Sequence, residues 1–369
     1  MKLQILQENL SSALNIASRF SSSKVQLPVL GNILFSAKKS KLVISSTNLE
    51  ISVSINVGAK VAEEGDLSIP AKVIAEIVGN LPRETINLET SKEQLKVETS
   101  SFVSTVLGMN SNDFPKIPGS ITANKALRIQ QKDFADALSQ VAFAASMDET
   151  RPILTGVLMI LNRNELSLVA TDGFRLSQKK VKISSLDANF KIVLPRAILS
   201  EISRVGGDDI LFSVEEKEKQ AVFGVGDIIL SSRLLEGDFP DYEKIIPKSS
   251  TYKIRMDKEE ISRAVKLASI FARDNANIVK IKVLKDSLKI LAESGQSGSQ
   301  ETKIDAKIEK AENSDFEIAF NYKYLEDFLR SVPGEEVQME FSGSTTAGVF
   351  RDSADSSYLH LIMPVRVQG

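Results

Sequence analysis

The chain has 369 residues, of which 42% are hydrophobic and 25% are charged, values typical of an ordinary soluble globular protein. It has no cysteine and a single histidine, His360, which excludes a disulfide framework, a thiolate nucleophile and a zinc site built from Cys and His. The formal net charge is −2, so the surface as a whole should attract nucleic acid only weakly. Contact with DNA would therefore need local basic residues or a topological mode of binding.

The first ten residues lack a basic region followed by a long apolar core, so they do not resemble a secretory signal. Uninterrupted apolar runs such as Val157 to Leu161 are far too short to cross a bilayer. We therefore expect a cytoplasmic protein with no membrane association.

The first third of the chain predicts two helices separated by antiparallel strands. Leu10, Leu14 and Ala17 lie at helical spacing and form one apolar stripe. Segments that alternate between apolar and polar residues and are joined by short polar turns are typical of antiparallel hairpins. In chain order, the predicted segments are a helix at Gln7 to Phe20, a hairpin of Val29 to Ala37 and Lys41 to Ile55, a helix opened by Pro70, a strand at Ile86 to Thr90 and an exit at Phe114-Pro115.

The same series recurs in the second third of the chain. Pro195 suits the first position of a helix, and Gly206-Gly207 suits its end. The predicted segments are a helix at Gln131 to Ala145, a hairpin of Ile153 to Leu161 and Glu165 to Val181, the helix opened by Pro195, a strand at Ile210 to Val214 and an exit at Phe239-Pro240.

A third copy completes the chain. Its predicted segments are a helix at Asp257 to Ala272, a hairpin of Asn277 to Leu284 and Ser287 to Ala292, a helix opened by Asn321, a strand at Val337 to Phe341 and an exit at Met363-Pro364. Pro70, Pro195 and Asn321 are 125 and 126 residues apart, and a fixed period of this kind indicates repeated domains. We predict three α+β domains, 1–122, 123–249 and 250–369, each with two helices packed on antiparallel sheets. The period does not determine whether such an array closes on itself.

Four segments carry a resemblance to a known family. They are Leu27-Pro-Val-Leu-Gly-Asn-Ile-Leu34, Ala170-Thr-Asp-Gly-Phe-Arg-Leu176, Phe239-Pro-Asp-Tyr-Glu-Lys-Ile-Ile-Pro247 and Met363-Pro-Val-Arg-Val367. In this order, within a threefold repeat, they resemble the bacterial DNA polymerase III beta subunit family, the sliding clamps of replication, over the whole chain. The resemblance implies the DNA clamp fold and a head-to-tail homodimer whose six domains form a ring around double-stranded DNA. It also implies a processivity factor with no cofactor, no metal and no catalytic residue.

The resemblance further implies a pocket between the second and third domains. The pocket would receive short motifs of the replicative DNA polymerase alpha subunit, the clamp loader and other proteins with a clamp-binding motif. Judged on its residues alone, Asp172-Gly173 more simply predicts an ordinary hairpin turn. Phe174 stands where the family often has His, and Lys244 where it often has Arg. The positions that match the pocket are Leu154, Thr171, Gly173, Phe174, Arg175, Leu176, Pro240, Lys244, Ile245, Asn321, Tyr324, Leu361, Met363, Pro364, Val365 and Arg366.

Three basic residues match positions at which the family contacts DNA: Lys24, Lys72 and Arg196. On an isolated helix, Lys72 and Arg196 would simply belong to a solvated face. Other family contacts to DNA are missing, because Pro152 and Ile153 replace a pair of tyrosines and Asp148 replaces a Gln. We therefore expect weak contacts that are independent of DNA sequence and sensitive to salt.

For the dimer interface, the resemblance points to the strand Phe102 to Leu107 in the first domain, with Phe102 and Val106 as its named residues, and to Ile270 and Phe271 in the third. Ordinary core packing is the alternative interpretation of these four residues.

Two other functions are alternatives to a sliding clamp. An enzyme could use Asp172 as a catalytic carboxylate or His360 as a general base, but no nucleophile motif, phosphate-binding glycine loop or spaced carboxylate pair supports this hypothesis. A scaffold that binds proteins but never DNA would share the fold and differ only in whether it closes around a duplex.

Overall fold

The protein is described by a computed structural model that covers residues 1–22, 27–122, 126–183, 189–311 and 316–366. Its α-helices are α1 (Gln7–Ala17), α2 (Ala71–Asn80), α3 (Gln131–Val141), α4 (Arg196–Arg204), α5 (Lys258–Ala272) and α6 (Tyr322–Ser331). These are the six helices that the repeat predicts. None of the helices in these ranges is long enough and apolar enough to span a membrane.

The second helix of each repeat starts where a strand ends. Pro70 and Pro195 are the last residues of strands, and each helix begins at the next residue. The prediction that these prolines occupy the first helical position is therefore wrong by one residue. The ψ angle of Pro70 is 117°, because the proline still belongs to the sheet. At the third copy, Asn321 ends the strand, and its side-chain oxygen accepts a hydrogen bond of 3.0 Å from the backbone N–H of Lys323.

The strands of the first third are β1 (Lys2–Leu6), β2 (Asn32–Lys38), β3 (Lys41–Thr47), β4 (Ile51–Gly58), β5 (Lys60–Glu63), β6 (Gly65–Pro70), β7 (Thr85–Ser91), β8 (Gln94–Glu98) and β9 (Val103–Leu107). The middle third contributes β10 (Leu127–Gln130), β11 (Gly156–Asn162), β12 (Glu165–Thr171), β13 (Arg175–Lys182), β14 (Phe190–Pro195), β15 (Asp209–Glu215), β16 (Gln220–Val225) and β17 (Ile228–Arg233). The last third contributes β18 (Tyr252–Asp257), β19 (Ile278–Val283), β20 (Ser287–Ser294), β21 (Gly298–Asp305), β22 (Lys307–Lys310), β23 (Phe316–Asn321), β24 (Glu336–Phe341), β25 (Gly348–Asp352) and β26 (Asp355–Ile362).

Two segments that the alternating pattern predicts as single strands are each two strands. Lys41 to Ile55 contains β3 and β4, and Glu165 to Val181 contains β12 and β13. In both cases, a tight turn of three residues reverses the chain. The alternation of apolar residues continues on both sides of the turn, so the pattern alone does not reveal the break.

The chain divides into two compact units. The first comprises residues 1–131 and 197–234, and the second comprises residues 132–196 and 235–369. The first unit has a five-stranded sheet in the order β5-β1-β7-β8-β9 and an eight-stranded sheet in the order β10-β15-β16-β17-β4-β3-β2-β6. The second has a nine-stranded sheet in the order β14-β11-β12-β13-β26-β25-β24-β18-β22 and a four-stranded sheet in the order β21-β20-β19-β23.

The middle third of the chain contributes to both units because its strands join two different sheets. β17 pairs antiparallel with β4 in the first unit, and β13 pairs antiparallel with β26 in the second. The two units follow these shared sheets rather than the sequence repeat. The domain boundaries near residues 122 and 249 therefore stay a prediction.

Each unit buries the apolar stripes of its helices. In the first unit, α1 packs on α2, β3 and β4, and the predicted stripe of Leu10, Leu14 and Ala17 is fully buried. In the second, α5 packs on α6 and on β19 to β21, with Ile261, Val265 and Ala268 fully buried. Burial of these side chains is the main favourable contribution to the stability of each unit.

Candidate functional site

The turn between β12 and β13 is held by the side chains of its first two residues. Thr171 Oγ1 donates a hydrogen bond of 2.6 Å to the carbonyl oxygen of Arg175 and accepts one of 3.1 Å from the N–H of Gly173. Asp172 Oδ1 accepts from the N–H groups of Phe174 and Arg175 at 2.9 and 3.0 Å. Gly173 has a φ of +96°, which favours glycine. The segment is a hairpin turn, as its residues alone indicate.

The turn between β3 and β4 has the same construction. Thr47 Oγ1 donates to the carbonyl oxygen of Ile51 at 2.9 Å and accepts from the N–H of Leu49 at 3.0 Å. Asn48 Oδ1 accepts hydrogen bonds from the backbone N–H groups of Glu50 and Ile51, at 3.0 and 2.9 Å. The turn is therefore a property of the repeat and does not mark a functional site by itself. What distinguishes the second copy is the side chain that follows the turn, which is Arg175 in place of Ile51.

The guanidinium of Arg175 is held by other groups of its own unit. Nε donates to Asp172 Oδ2 at 3.1 Å, Nη1 to Asp327 Oδ2 at 2.5 Å and Nη2 to the carbonyl oxygen of Phe143 at 2.8 Å. The guanidinium carbon lies 5.3 Å from the ring centroid of Phe143 and 4.7 Å from that of Tyr324. The side chain is only 11% exposed. Three of its five N–H donors are thus engaged by groups of this chain.

A cleft of about 200 Å³ opens beside this turn, entirely within the second unit. It is lined by Leu154, Thr171, Gly173, Phe174, Arg175, Leu176, Pro240, Asp241, Tyr242, Ile245, Leu361 and Met363. Ten of these twelve are positions that the resemblance assigns to the partner pocket.

The lining divides into a buried floor and an exposed rim. Leu154, Leu176 and Leu361 are buried and form an apolar floor. On the rim, Phe174 is 60% exposed and Met363 is 40% exposed, which is unusual for side chains of this size. The backbone N–H of Met363 donates to the carbonyl oxygen of Phe174 at 2.8 Å and joins these two parts of the rim. The arrangement can accept apolar side chains of a short peptide.

The other six predicted pocket residues do not line this cleft. Lys244 is exposed and pairs with Asp241 at 2.7 Å, which raises the pKa of the lysine. Asn321 caps α6, and Tyr324 packs against Arg175. Pro364 and Val365 are half-buried, Arg366 is exposed, and the N–H of Val365 donates to the carbonyl oxygen of Ala319 at 2.8 Å.

Asp241 and Tyr242 also line the cleft but are not among the residues predicted from the sequence. Tyr242 is buried, and burial together with the neighbouring carboxylates of Glu243 and Asp241 raises the pKa of its hydroxyl. The available signal was an aromatic residue inside a segment already identified, two positions after Pro240. An aromatic ring with a polar tip is a common part of a peptide-binding surface.

His360 is fully buried, so its ring is not accessible to a substrate from solvent. Its Nδ1 is joined to Ser177 Oγ at 2.6 Å, and its ring stacks on Phe328 at a centroid distance of 5.5 Å. Burial, and then the charge of Arg175, lower the pKa of His360 to about 3. The carboxylate of Asp172 is occupied by the turn and by Arg175. These positions argue against His360 as a general base and Asp172 as a catalytic carboxylate.

The basic residues assigned to DNA contact lie in different settings. Lys72 is exposed in the first turn of α2. Arg196 is half-buried at the start of α4, and its Nη1 lies 3.2 Å from Sδ of Met147. Lys24 lies outside the described residues. Across the part of the chain that the structure describes, no group of three or more His, Asp or Glu side chains is placed to hold a metal ion.

β9, the strand assigned to the dimer interface, is the edge of its sheet. Alternation along the strand turns Val106 toward the core and leaves Val103 and Leu107 exposed, Leu107 by 68%. Phe102 is half-buried. The exposed apolar side chains of this edge, Val103 and Leu107, each lie one residue from a residue named from the sequence, Phe102 or Val106. In a strand, a shift of one residue moves a side chain to the opposite face of the sheet.

The two predicted interface residues at the end of α5 differ from each other. Ile270 is exposed by 54%, whereas Phe271 is half-buried and packs against the core of its unit. Leu267, one turn earlier on the same helix, is also exposed. The exposed apolar face of this helix end therefore consists of Leu267 and Ile270.

Comparisons with known proteins identify relatives along the whole chain. Models of the DNA polymerase III beta subunit match in three consecutive stretches, the N-terminal domain at residues 1–118, the central domain at 128–241 and the C-terminal domain at 243–366. The beta sliding clamp of Staphylococcus aureus is 28% identical over 381 residues, and the alignment covers 99% of both chains. The solved DNA polymerase sliding clamp of Bacillus subtilis matches with a TM-score of 0.94 and 26% identity, and the DNA polymerase III beta subunit of Thermotoga maritima with 0.91 and 26%. Both structural matches cover 100% of each chain.

Proposed function

Because the chain belongs to the bacterial DNA polymerase III beta subunit family and has the three-domain fold of the sliding clamps, we propose that it encircles duplex DNA as a head-to-tail homodimer. It would be a processivity factor without catalytic activity that acts in the cytoplasm on replicating DNA. Its partners would be the replicative polymerase alpha subunit, the clamp loader and other proteins with a clamp-binding motif. A polymerase tethered in this way rebinds its template at a high effective concentration.

The proposed docking site for these partners is the cleft beside the turn at residues 171–175. The observation that carries this proposal is its combination of a buried apolar floor with exposed Phe174 and Met363 on the rim. A peptide with apolar anchors would bury these side chains, and methionine adapts well to different partners.

Replacement of the exposed apolar side chains on the rim tests whether the cleft binds partner peptides. We expect the Phe174→Ser, Met363→Ala double variant to weaken binding of a fluorescein-labelled polymerase alpha-subunit peptide at least about tenfold, because two apolar contacts are lost. Fluorescence anisotropy measures the affinity. Leu49→Ser is the matched control, because Leu49 is exposed at the corresponding turn of the first unit. Unchanged affinity of the double variant would contradict the assignment.

The closure of the ring is suggested by the sheet edges. The last strand of the middle repeat, β17, pairs with β4, and the last strand of the third repeat, β26, pairs with β13. The last strand of the first repeat, β9, lies at the edge of its sheet. β21 also lies at an edge, and in the third repeat it is the counterpart of β4 in the first repeat and of β13 in the second. Pairing of β9 with β21 of a second copy would complete the pattern, and such head-to-tail contacts give a closed ring when the rotation between copies closes.

DNA would be held mainly by enclosure. Lys24, Lys72 and Arg196 are the proposed contacts to phosphates, and because such contacts release counterions, their contribution to affinity should fall as the salt concentration rises. Weak contacts that do not read bases leave a clamp free to slide.

A further inference from the structure

Each unit has a carboxylate at the same position of the repeat, on the helix that follows a strand end. These are Glu201 on α4 and Asp327 on α6, which are 126 residues apart. Glu201 accepts a hydrogen bond from Arg19 Nε at 2.6 Å, and Asp327 accepts one from Arg175 Nη1 at 2.5 Å. The first guanidinium comes from the short 3-10 helix after α1, whereas the second comes from the cleft itself.

Asp327 does not line the cleft, but it holds a residue that does. Its Oδ2 binds Arg175, and its Oδ1 faces the exposed Arg330 at 3.5 Å. Arg175 in turn binds Asp172, whose Oδ1 holds the backbone of Phe174. A chain of contacts thus runs from α6 to the rim of the cleft.

We propose that Asp327 is a positioning residue of the partner cleft. It fixes the guanidinium of Arg175 and, through it, the turn that presents Phe174. This inference rests on the proposed binding of partner peptides in the cleft.

The geometry favours a positioning role over simple surface charge. Arg175 is only 11% exposed and lies close to two aromatic rings, so its pair with Asp327 is less screened than an exposed ion pair. A planar guanidinium donates in fixed directions, and a second carboxylate therefore defines its orientation. Without Asp327, the bonds to Asp172 and Phe143 remain, but the guanidinium loses the contact that ties it to α6.

The test is a double-mutant cycle measured on peptide affinity. The variants are Asp327→Asn, Arg175→Ala and both together, with the labelled alpha-subunit peptide as the probe and thermal unfolding as a second measurement. Glu326→Gln is the matched control, because Glu326 is the adjacent carboxylate of α6 and pairs with Arg330 at 3.0 Å but not with Arg175. Arg175→Gln, which removes the charge that pairs with Asp327, provides a second background should Arg175→Ala fail to fold.

We expect Asp327→Asn to weaken peptide binding about tenfold in the wild-type background, as for directly coupled pairs. It should have little further effect when Arg175 is already replaced, and Glu326→Gln should bind as the wild type does. Equal loss in both backgrounds, or no loss in the wild-type background, would overturn the inference. If the wild-type protein itself fails to bind the peptide, the proposed function of the cleft is wrong, and the positioning role of Asp327 is then wrong as well.

Discussion

At the residue scale, His360 and the aromatic rings around it form a cluster in the core of the second unit. His360 is fully buried, its Nδ1 is joined to Ser177, and Phe328 and Phe143 lie against its ring at centroid distances of 5.5 Å each. Its Nε2 has no hydrogen-bond partner within the described residues. A buried imidazole in such surroundings stays neutral, because charging it would cost desolvation and would place it near Arg175.

This burial predicts an acid-sensitive contribution to stability. The pKa of His360 is lowered to about 3 in the folded protein from its ordinary value near 6.5, so between these values the unfolded chain binds the extra proton. The contribution of neutral His360 to the free energy of unfolding is fully present above about pH 6.5. Below that pH, it decreases by about 1.4 kcal/mol for each pH unit. We expect His360→Gln to show a flatter dependence of the unfolding free energy between pH 6.5 and 4.5 in denaturant titrations. Parallel curves for wild type and variant would contradict this.

The residues around the cleft show how far sequence reasoning reaches. Eight of the ten lining residues named from the sequence lie in the short segments that carry the resemblance, and Leu154 and Leu361 were named only because they match family positions. The pattern could not reveal that Arg175 is engaged by Asp327, because 152 residues separate them and no local rule links them. It also placed Val106 at an interface, although its side chain faces the core, since the face of a strand depends on an exact register.

At the element scale, the two repeated turns form a natural matched pair. Thr47 and Thr171 each bridge their turn with one donated and one accepted hydrogen bond. We expect Thr47→Val and Thr171→Val to destabilise their units similarly, by about 1 to 2 kcal/mol, because both leave backbone groups without these partners. Only Thr171→Val should weaken peptide binding. Equal peptide affinity for the two variants would show that the turn at residues 171–175 does not shape the cleft.

The edge strand β9 is the proposed contact between copies in the first third of the chain. Leu107→Asp replaces an exposed apolar side chain at the proposed contact between copies and should weaken dimerisation by at least about a hundredfold, or about 3 kcal/mol. Analytical ultracentrifugation measures the dissociation constant. Thr105→Asp is a control on the same exposed face that removes no large apolar side chain. A Leu107→Asp variant that dimerises like the wild type would contradict pairing at this edge.

At the scale of the whole molecule, the period of about 125 residues was sufficient to predict six helices and their order. It was not sufficient to predict how strands are exchanged between repeats. The pairings of β17 with β4 and of β13 with β26 join residues far apart in the sequence, and the alternation of a strand does not identify its neighbour. These same pairings leave β9 and β21 as edges, and so they suggest how a second copy would complete the ring.

Enclosure of DNA by a dimer, the mode of binding proposed above, can be measured directly. The most direct measurement loads the protein with its clamp loader onto nicked circular duplex, cuts the circle once and follows retention by gel filtration. We predict retention on the circle and rapid loss after linearisation, because a closed ring with few phosphate contacts slides off a free end. Equal retention on circular and linear DNA would contradict enclosure and would favour ordinary electrostatic binding.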